Sequence, residues 1–168
     1  CAFCTGDSLP VDLGVMYFED FQDDKQALLR HMQSVDVLVG FHGAGMTNMM
    51  FMRPCSSVTQ VLSPVHCFWL AAEVFEGLAY MSKLPYSQLC LTMDNVKMID
   101  GENRAEEDLQ AVRMDREVGS IPDHQLYLYR IDSLRVTPAE MESVVRAGVR
   151  SNLLCRTVAE QRRRQRMQ

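Results

Sequence analysis

Apolar and polar positions alternate in blocks along the first half of the chain. The run VMYFE (15–19) is apolar and aromatic and predicts a strand. DDKQALLRHMQSV follows with Ala27, Leu28, Met32 and Val35 near helical spacing, and Asp23 or Asp24 placed to cap, which predicts a helix over 24–35. DVLVGF (36–41) is a short apolar run of the kind buried on both faces of a parallel sheet. GAGMTNMMFM then predicts a short helix with Met46, Met49, Met50 and Phe51 turned inward, ended by Pro54. SSVTQVLSP (56–64) predicts a strand closed by Pro64. HCFWLAAEVFEG predicts a helix with Gly77 just past its end, and LAYMSKL (78–84) a further strand. Strands alternating with helices at this spacing predict β-α-β units. The expected sheet is parallel, with neighbouring strands near 15–19, 36–41, 57–62 and 78–81 and with helices 24–35 and 65–76 packed on it.

The second half is less regular. LCLTMDNVKMIDGENRAEED holds a candidate strand and a loop around Asp100-Gly101, residues 104–117 are charged enough for an exposed helix, and QLYLYRID (125–132) alternates like a strand. Thr137-Pro138-Ala139-Glu140 reads as a capping box with proline at the first helical position. The helix it opens carries Met141, Val144, Val145 and Val149 on one face and is expected to fill 137–168. No internal repeat or low-complexity linker divides the chain. The expected architecture is therefore α/β: a single Rossmann-like domain over 1–168, a parallel sheet with flanking helices.

Composition narrows the function. The chain has 168 residues, 47% hydrophobic and 23% charged, with a formal net charge of -5, which argues against general nucleic-acid binding. The basic cluster Arg162, Arg163, Arg164 and Arg166 sits where cations suit a helix end. No apolar run reaches the roughly 18 residues of a membrane span, and no signal peptide is visible. Of the six cysteines, Cys1 and Cys4 form a CxxC without a second such pair, so zinc is not expected. Most cysteines read as small buried hydrophobes, and spacing alone assigns no disulfide.

Chemistry concentrates at residues 40–48. A strand, a glycine turn and a helix start present free backbone N–H groups and the positive end of a dipole, which suits an anion. Gly43 and Gly45 allow close backbone approach. His42 adds a donor for a phosphate oxygen or a developing oxyanion, and Thr47 and Asn48 add side-chain hydrogen bonds just inside the helix. A turn that only packs helix on strand would use the same small residues. His42 favours the ligand reading, because ligands of open α/β sheets bind at the carboxyl ends of the strands. The dinucleotide fingerprint fails, since Asn48 stands where its third glycine belongs; there is no P-loop string and no G-x-S-x-G elbow. His31, His66 and His124 carry no assigned chemistry.

The string DVLVGFHGAGMTNMMFM…SSVTQVLSP resembles the signature of glycosyltransferase family 61. The match runs through Gly40, Phe41, His42, Gly43, Ala44, Gly45 and Met46 to Asn48 and Phe51. Gln26 in the helix before and Tyr80 after it stand at similar places, so the likeness extends over about 15–82. The resemblance implies a chain like the C-terminal, donor-binding half of a two-domain GT-B enzyme, and hence part of a larger protein. It implies inverting transfer of a sugar, GlcNAc or xylose among the candidates, from a nucleotide sugar of the UDP type to a protein or glycan acceptor. No metal and no other cofactor is implied. His42, Gly43, Ala44, Gly45, Thr47 and Asn48 would hold the donor diphosphate. Gln60, where the family usually carries Glu, would meet the ribose; the catalytic residues are unassigned. The implied location is the Golgi or endoplasmic reticulum lumen, with any membrane anchor upstream of Cys1. Two alternatives stay open: a catalytically inactive nucleotide-binding module, and an unrelated α/β enzyme using His42 as acid or base.

Overall fold

The computed structural model describes residues 11–21, 23–64, 66–68, 71–98 and 131–167. The predicted helix 104–117, the loop at Asp100-Gly101, the first part of the predicted strand 125–132, and Cys1, Cys4 and His124 lie outside the described residues.

Helix α1, Lys25–Ser34, starts where the Asp24 side chain accepts the Ala27 N–H at 2.8 Å, and it buries Met32 completely. Strand β1, Val37–Phe41, follows, then a 3-10 helix over Ala44–Phe51 and strand β2, Ser57–Leu62. Helix α2, Ala71–Met81, leads to strand β3, Tyr86–Cys90. The three strands form one parallel sheet in the order β1-β2-β3, with β2 central and buried along its whole length. Strands β4, Val96–Met98, and β5, Ile131–Leu134, form a separate antiparallel pair. Helix α3, Pro138–Arg166, carries the expected capping box: the Thr137 side chain accepts the Glu140 N–H and the Glu140 carboxylate accepts the Thr137 N–H. That second bond is the chief cause holding the Glu140 carboxyl below its ordinary range.

The two faces of the sheet are built differently. On one face Leu38 and Val58 join Met32, Met46, Met49, Met52, Phe75, Ala79 and Leu84 in an apolar core. On the other, α3 lies across β1 and β2, burying Val144, Val145, Gly148 and Asn152. The buried stripe thus centres on Gly148 and Asn152 rather than on Met141 and Val149. Gly148 brings the helix backbone close, and its carbonyl accepts the Ser57 hydroxyl at 2.8 Å. Asn152 donates to the Cys55 carbonyl at 2.9 Å. Contrary to the reading of most cysteines as small buried hydrophobes, four among the described residues pair: Cys55–Cys155 ties the start of β2 to α3, and Cys67–Cys90 ties the segment after β2 to the end of β3. Closing a loop of 100 residues, Cys55–Cys155 stabilises the fold by about 4–5 kcal/mol in the chain-entropy account.

Three expectations are corrected. Residues 15–19 are not a strand: Val15 and Tyr17 are exposed while Met16 and Phe18 pack on the core, and a 3-10 turn over Phe18–Phe21 follows. The alternation is real, but the segment covers the turn at Gly45 instead of pairing. Residues 78–84 are not a strand either. Phe75, Leu78 and Ala79 share a helical face, so α2 runs through Gly77 to Met81. Its stop is Lys83, at φ 57°, with Leu84 N–H bonded to the Ala79 carbonyl and Lys83 N–H to that of Tyr80, the two bonds of a Schellman motif. The third strand therefore lies at Tyr86–Cys90. In the Ala44–Phe51 segment, a 3-10 helix has three residues per turn, so Met46, Met49 and Met52 are buried while Met50 and Phe51 are exposed.

The Gly148 contact makes a direct test. A Cβ there would lie 2.6 Å from Val37 Cγ1 and 3.0 Å from the Ser57 hydroxyl. Gly148→Ala should lower stability by about 1–3 kcal/mol. Chemical denaturation giving a midpoint equal to or above that of the parent would disprove the close approach.

Candidate functional site

The carboxyl ends of β1 and β2 form the site. His42 leaves β1 with its backbone N–H donating to the Val61 carbonyl at 2.9 Å, which fixes it beside the end of β2. Its ring Nδ1 is hydrogen-bonded to the side-chain nitrogen of Gln60. Gln60 is completely buried in the middle of β2, paired in register with Gly40 on one side and Gln88 on the other. The Tyr86 hydroxyl donates to the Gln60 side-chain oxygen, and Gln88 Nε2 donates to the Tyr86 hydroxyl at 3.2 Å. A line of polar groups therefore crosses the sheet from the β3 edge to His42.

The His42 ring is held between two others. The His66 ring stacks on it, tilted, at 4.3 Å between centroids, and the Phe75 edge meets it at 5.3 Å. His66 sits in a 3-10 turn just after β2, with its Nδ1 3.0 Å from the Ser63 hydroxyl. Burial lowers the His42 pKa below 6.5, so the neutral imidazole is favoured. Burial likewise raises that of Tyr86, with Glu76 adding to the rise and the Gln88 hydrogen bond opposing it, so its hydroxyl keeps its proton.

The small-residue turn divides its roles. Gly43 has φ 166°, an extended backbone open to any residue, and nothing would crowd a Cβ there. Gly45 is different: a Cβ would lie 2.6 Å from the Phe18 ring, so this glycine makes room for Phe18. Met46 is the first residue of the turn whose N–H finds an intrahelical acceptor, the Gly43 carbonyl at 3.0 Å. The N–H groups of Ala44 and Gly45 precede that bond, as orphan donors at a helix start do. Thr47 donates back to the Ala44 carbonyl at 2.7 Å, and Asn48 to that of Gly45 at 3.0 Å, so both side chains tie down the first turn. Gln60, expected at a ribose, is completely buried and has both ends of its amide engaged inside the chain, the nitrogen by His42 and the oxygen by Tyr86.

His66, Ser63, Phe75 and Tyr86 are the side chains that sequence reasoning passed over. His66 follows a strand end, which was a usable signal. Tyr86 joins Gln60 only once β3 is placed at Tyr86–Cys90. Among the described residues, no three His, Cys, Asp or Glu side chains gather as a metal-binding group. Nor is any helix among them long and apolar enough to cross a membrane.

The fold and site together define a parallel α/β unit with a histidine and a helix start at the carboxyl edge of its sheet. Residues 10–59 match the model of the family glycosyltransferase 61, so the resemblance carried by the HGAG block holds. That match spans His42 to Asn48 and stops one position short of Gln60. A curated relative, an alpha-1,3-arabinosyltransferase of Oryza sativa subsp. japonica, is 30% identical over 77 residues, which is 46% of this chain and 13% of that protein. The chain thus spans a small part of the relative's length. No solved structure matches it.

The buried imidazole predicts a pH dependence. A histidine whose folded pKa is depressed contributes its full stability above the unfolded value, and that contribution is lost as the pH falls from there through the folded value. The melting temperature should therefore fall as the pH drops below the ordinary imidazole range, and His42→Gln should remove part of that fall. Identical pH profiles for the two proteins would show that His42 is not desolvated.

Proposed function

We propose that this chain is the donor-binding part of a glycosyltransferase, a Rossmann-like unit corresponding to the C-terminal half of a GT-B enzyme. The reaction is transfer of a sugar from a UDP-sugar to a protein or glycan acceptor, with inversion. The observation that carries this reading is the placement of His42 between the end of β2 and the helix start at Ala44. A diphosphate lying over Ala44 would meet the N–H groups of Ala44 and Gly45, the helix dipole and the His42 ring. Donors preset at that point stabilise the negative charge that grows on the leaving nucleoside diphosphate as the glycosidic bond to it breaks. Gly43 leaves the approach open, and Thr47 and Asn48 hold the first turn in shape. The match over residues 10–59 and the arabinosyltransferase relative support the class of reaction. The two disulfides fit an oxidising lumen, that of the endoplasmic reticulum or Golgi.

One observation favours a second reading, a nucleotide-binding module without catalysis. The side chain bonded to His42 is a neutral amide, and among the described residues no carboxylate is hydrogen-bonded to His42. Turnover assays on the full-length protein with UDP-sugars separate the two readings.

Binding tests the reading common to both. UDP should bind this chain, and His42→Ala should weaken it by roughly 10- to 150-fold, the loss of a hydrogen bond to a charged group worth about 1.5–3 kcal/mol. Titration calorimetry that finds equal affinity for the two proteins removes His42 from the donor site.

A further inference from the structure

The two ends of the Gln60 amide meet different partners in the structure, the oxygen Tyr86 and the nitrogen His42. It is completely buried, so each amide group must find its partner within the chain. The Tyr86 hydroxyl has a single hydrogen. Its oxygen accepts from Gln88 Nε2 at 3.2 Å, and its own hydrogen goes to the Gln60 oxygen. In this arrangement the Gln60 NH₂ faces His42 Nδ1. An amide N–H can only donate, so Nδ1 must offer its lone pair, and the ring proton of a neutral imidazole then sits on Nε2. Protonating His42 would turn the two N–H groups against each other in a half-buried contact.

We infer that Gln60 is a positioning residue that fixes His42 as the Nε2–H tautomer, a hydrogen-bond donor and not a base. The surroundings agree. Among the described residues, the titratable groups facing His42 are His66, whose ring lies 4.3 Å away between centroids, and Tyr86 behind Gln60, with Glu76 acting on Tyr86 in turn. Burial keeps the imidazole neutral and keeps Tyr86 protonated as the donor that the arrangement needs. Residue 60 thus sets the chemical character of residue 42. A carboxylate in its place would accept a hydrogen bond from Nδ1–H, leaving the Nε2 lone pair free as a base or stabilising the imidazolium. Resting on the donor-binding reading, a further consequence follows: His42 meets an anionic oxygen, and the proton of an acceptor hydroxyl must leave to another group.

The test is long-range proton–nitrogen NMR on the whole chain labelled at histidine, with no nucleotide present. The expected spectrum shows His42 neutral with its proton on Nε2. In Gln60→Glu the tautomer should change or the ring should charge, with a titration midpoint roughly 1 to 3 pH units higher. Tyr86→Phe frees the Gln60 oxygen and should give a mixture of tautomers. A parent His42 with its proton on Nδ1, or an unchanged His42 spectrum in a folded Gln60→Glu protein, overturns the inference. If neither variant folds, the parent spectrum decides alone. Because no nucleotide enters, the outcome is separate from that of the binding experiment. An Nε2–H ring in a chain that fails to bind UDP would sink the donor-site reading and leave the role of Gln60 standing.

Discussion

The structure depends on satisfying the polar side chains of a strand that has no access to water. Strand β2 is buried at every position, yet Ser57, Thr59 and Gln60 lie within it and Ser56 and Ser63 flank it. A hydroxyl or amide buried without a partner costs about 1–3 kcal/mol, so each of these groups must be answered. The answers come from different directions. Ser56 donates to the Val35 carbonyl at the end of α1, Ser57 to Gly148 in α3, and Thr59 pairs with Ser87 in β3. Gln60 joins Tyr86 to His42, and Ser63 joins His66. Apolar burial brings the layers together, but these bonds fix which element lies where. The two histidines are oriented as part of the same settlement, since one hangs from Gln60 and the other from Ser63.

Much of the fold was legible because local signals and burial agreed. Asp24 caps α1, Thr137 and Glu140 cap α3, and the runs at 37–41 and 57–62 are strands in a parallel sheet, as their patterns indicated. The failures share a cause: a local pattern compatible with two backbones. Alternation over 15–18 is produced by an extended segment packing Met16 and Phe18 on the core without strand pairing. Gly77 resembled a helix end, but the chain turns at Lys83, a residue whose left-handed backbone no propensity would nominate. In the methionine-rich turn Met46, Met49 and Met50 stand at α-helical spacing, but the segment runs at three residues per turn and buries Met52 instead of Met50.

The site was legible in part for a related reason. The placement of His42 and the turn at a strand end and helix start was legible because these segments are adjacent in sequence. His66 and Tyr86 were not, because their relation to His42 exists only across strands. Gln60 was located correctly in β2, but its partner could not be read, since the side a strand residue serves depends on its neighbours. In register Gly40, Gln60 and Gln88 lie abreast, and the missing side chain at Gly40 leaves room for Met46. The two glycines of the turn also looked equivalent, whereas Gly45 is occupied by Phe18 and only Gly43 faces open space.

Rigidity at the site follows from how its edges are tied. Electrostatic stabilisation works best when donors are already oriented, because no energy is then spent reorganising them as charge develops. Here the turn is fastened from inside by Thr47 and Asn48 and from below by Phe18 against Gly45. The Cys67–Cys90 bridge fastens the segment carrying His66 to the end of β3, the strand that carries Tyr86. His42 is thereby fixed from two directions, through Gln60 by the sheet and through the His66 ring by the bridged segment. Fixed donors at a helix start are worth most where the ligand is charged, as it is under the donor-binding reading proposed above.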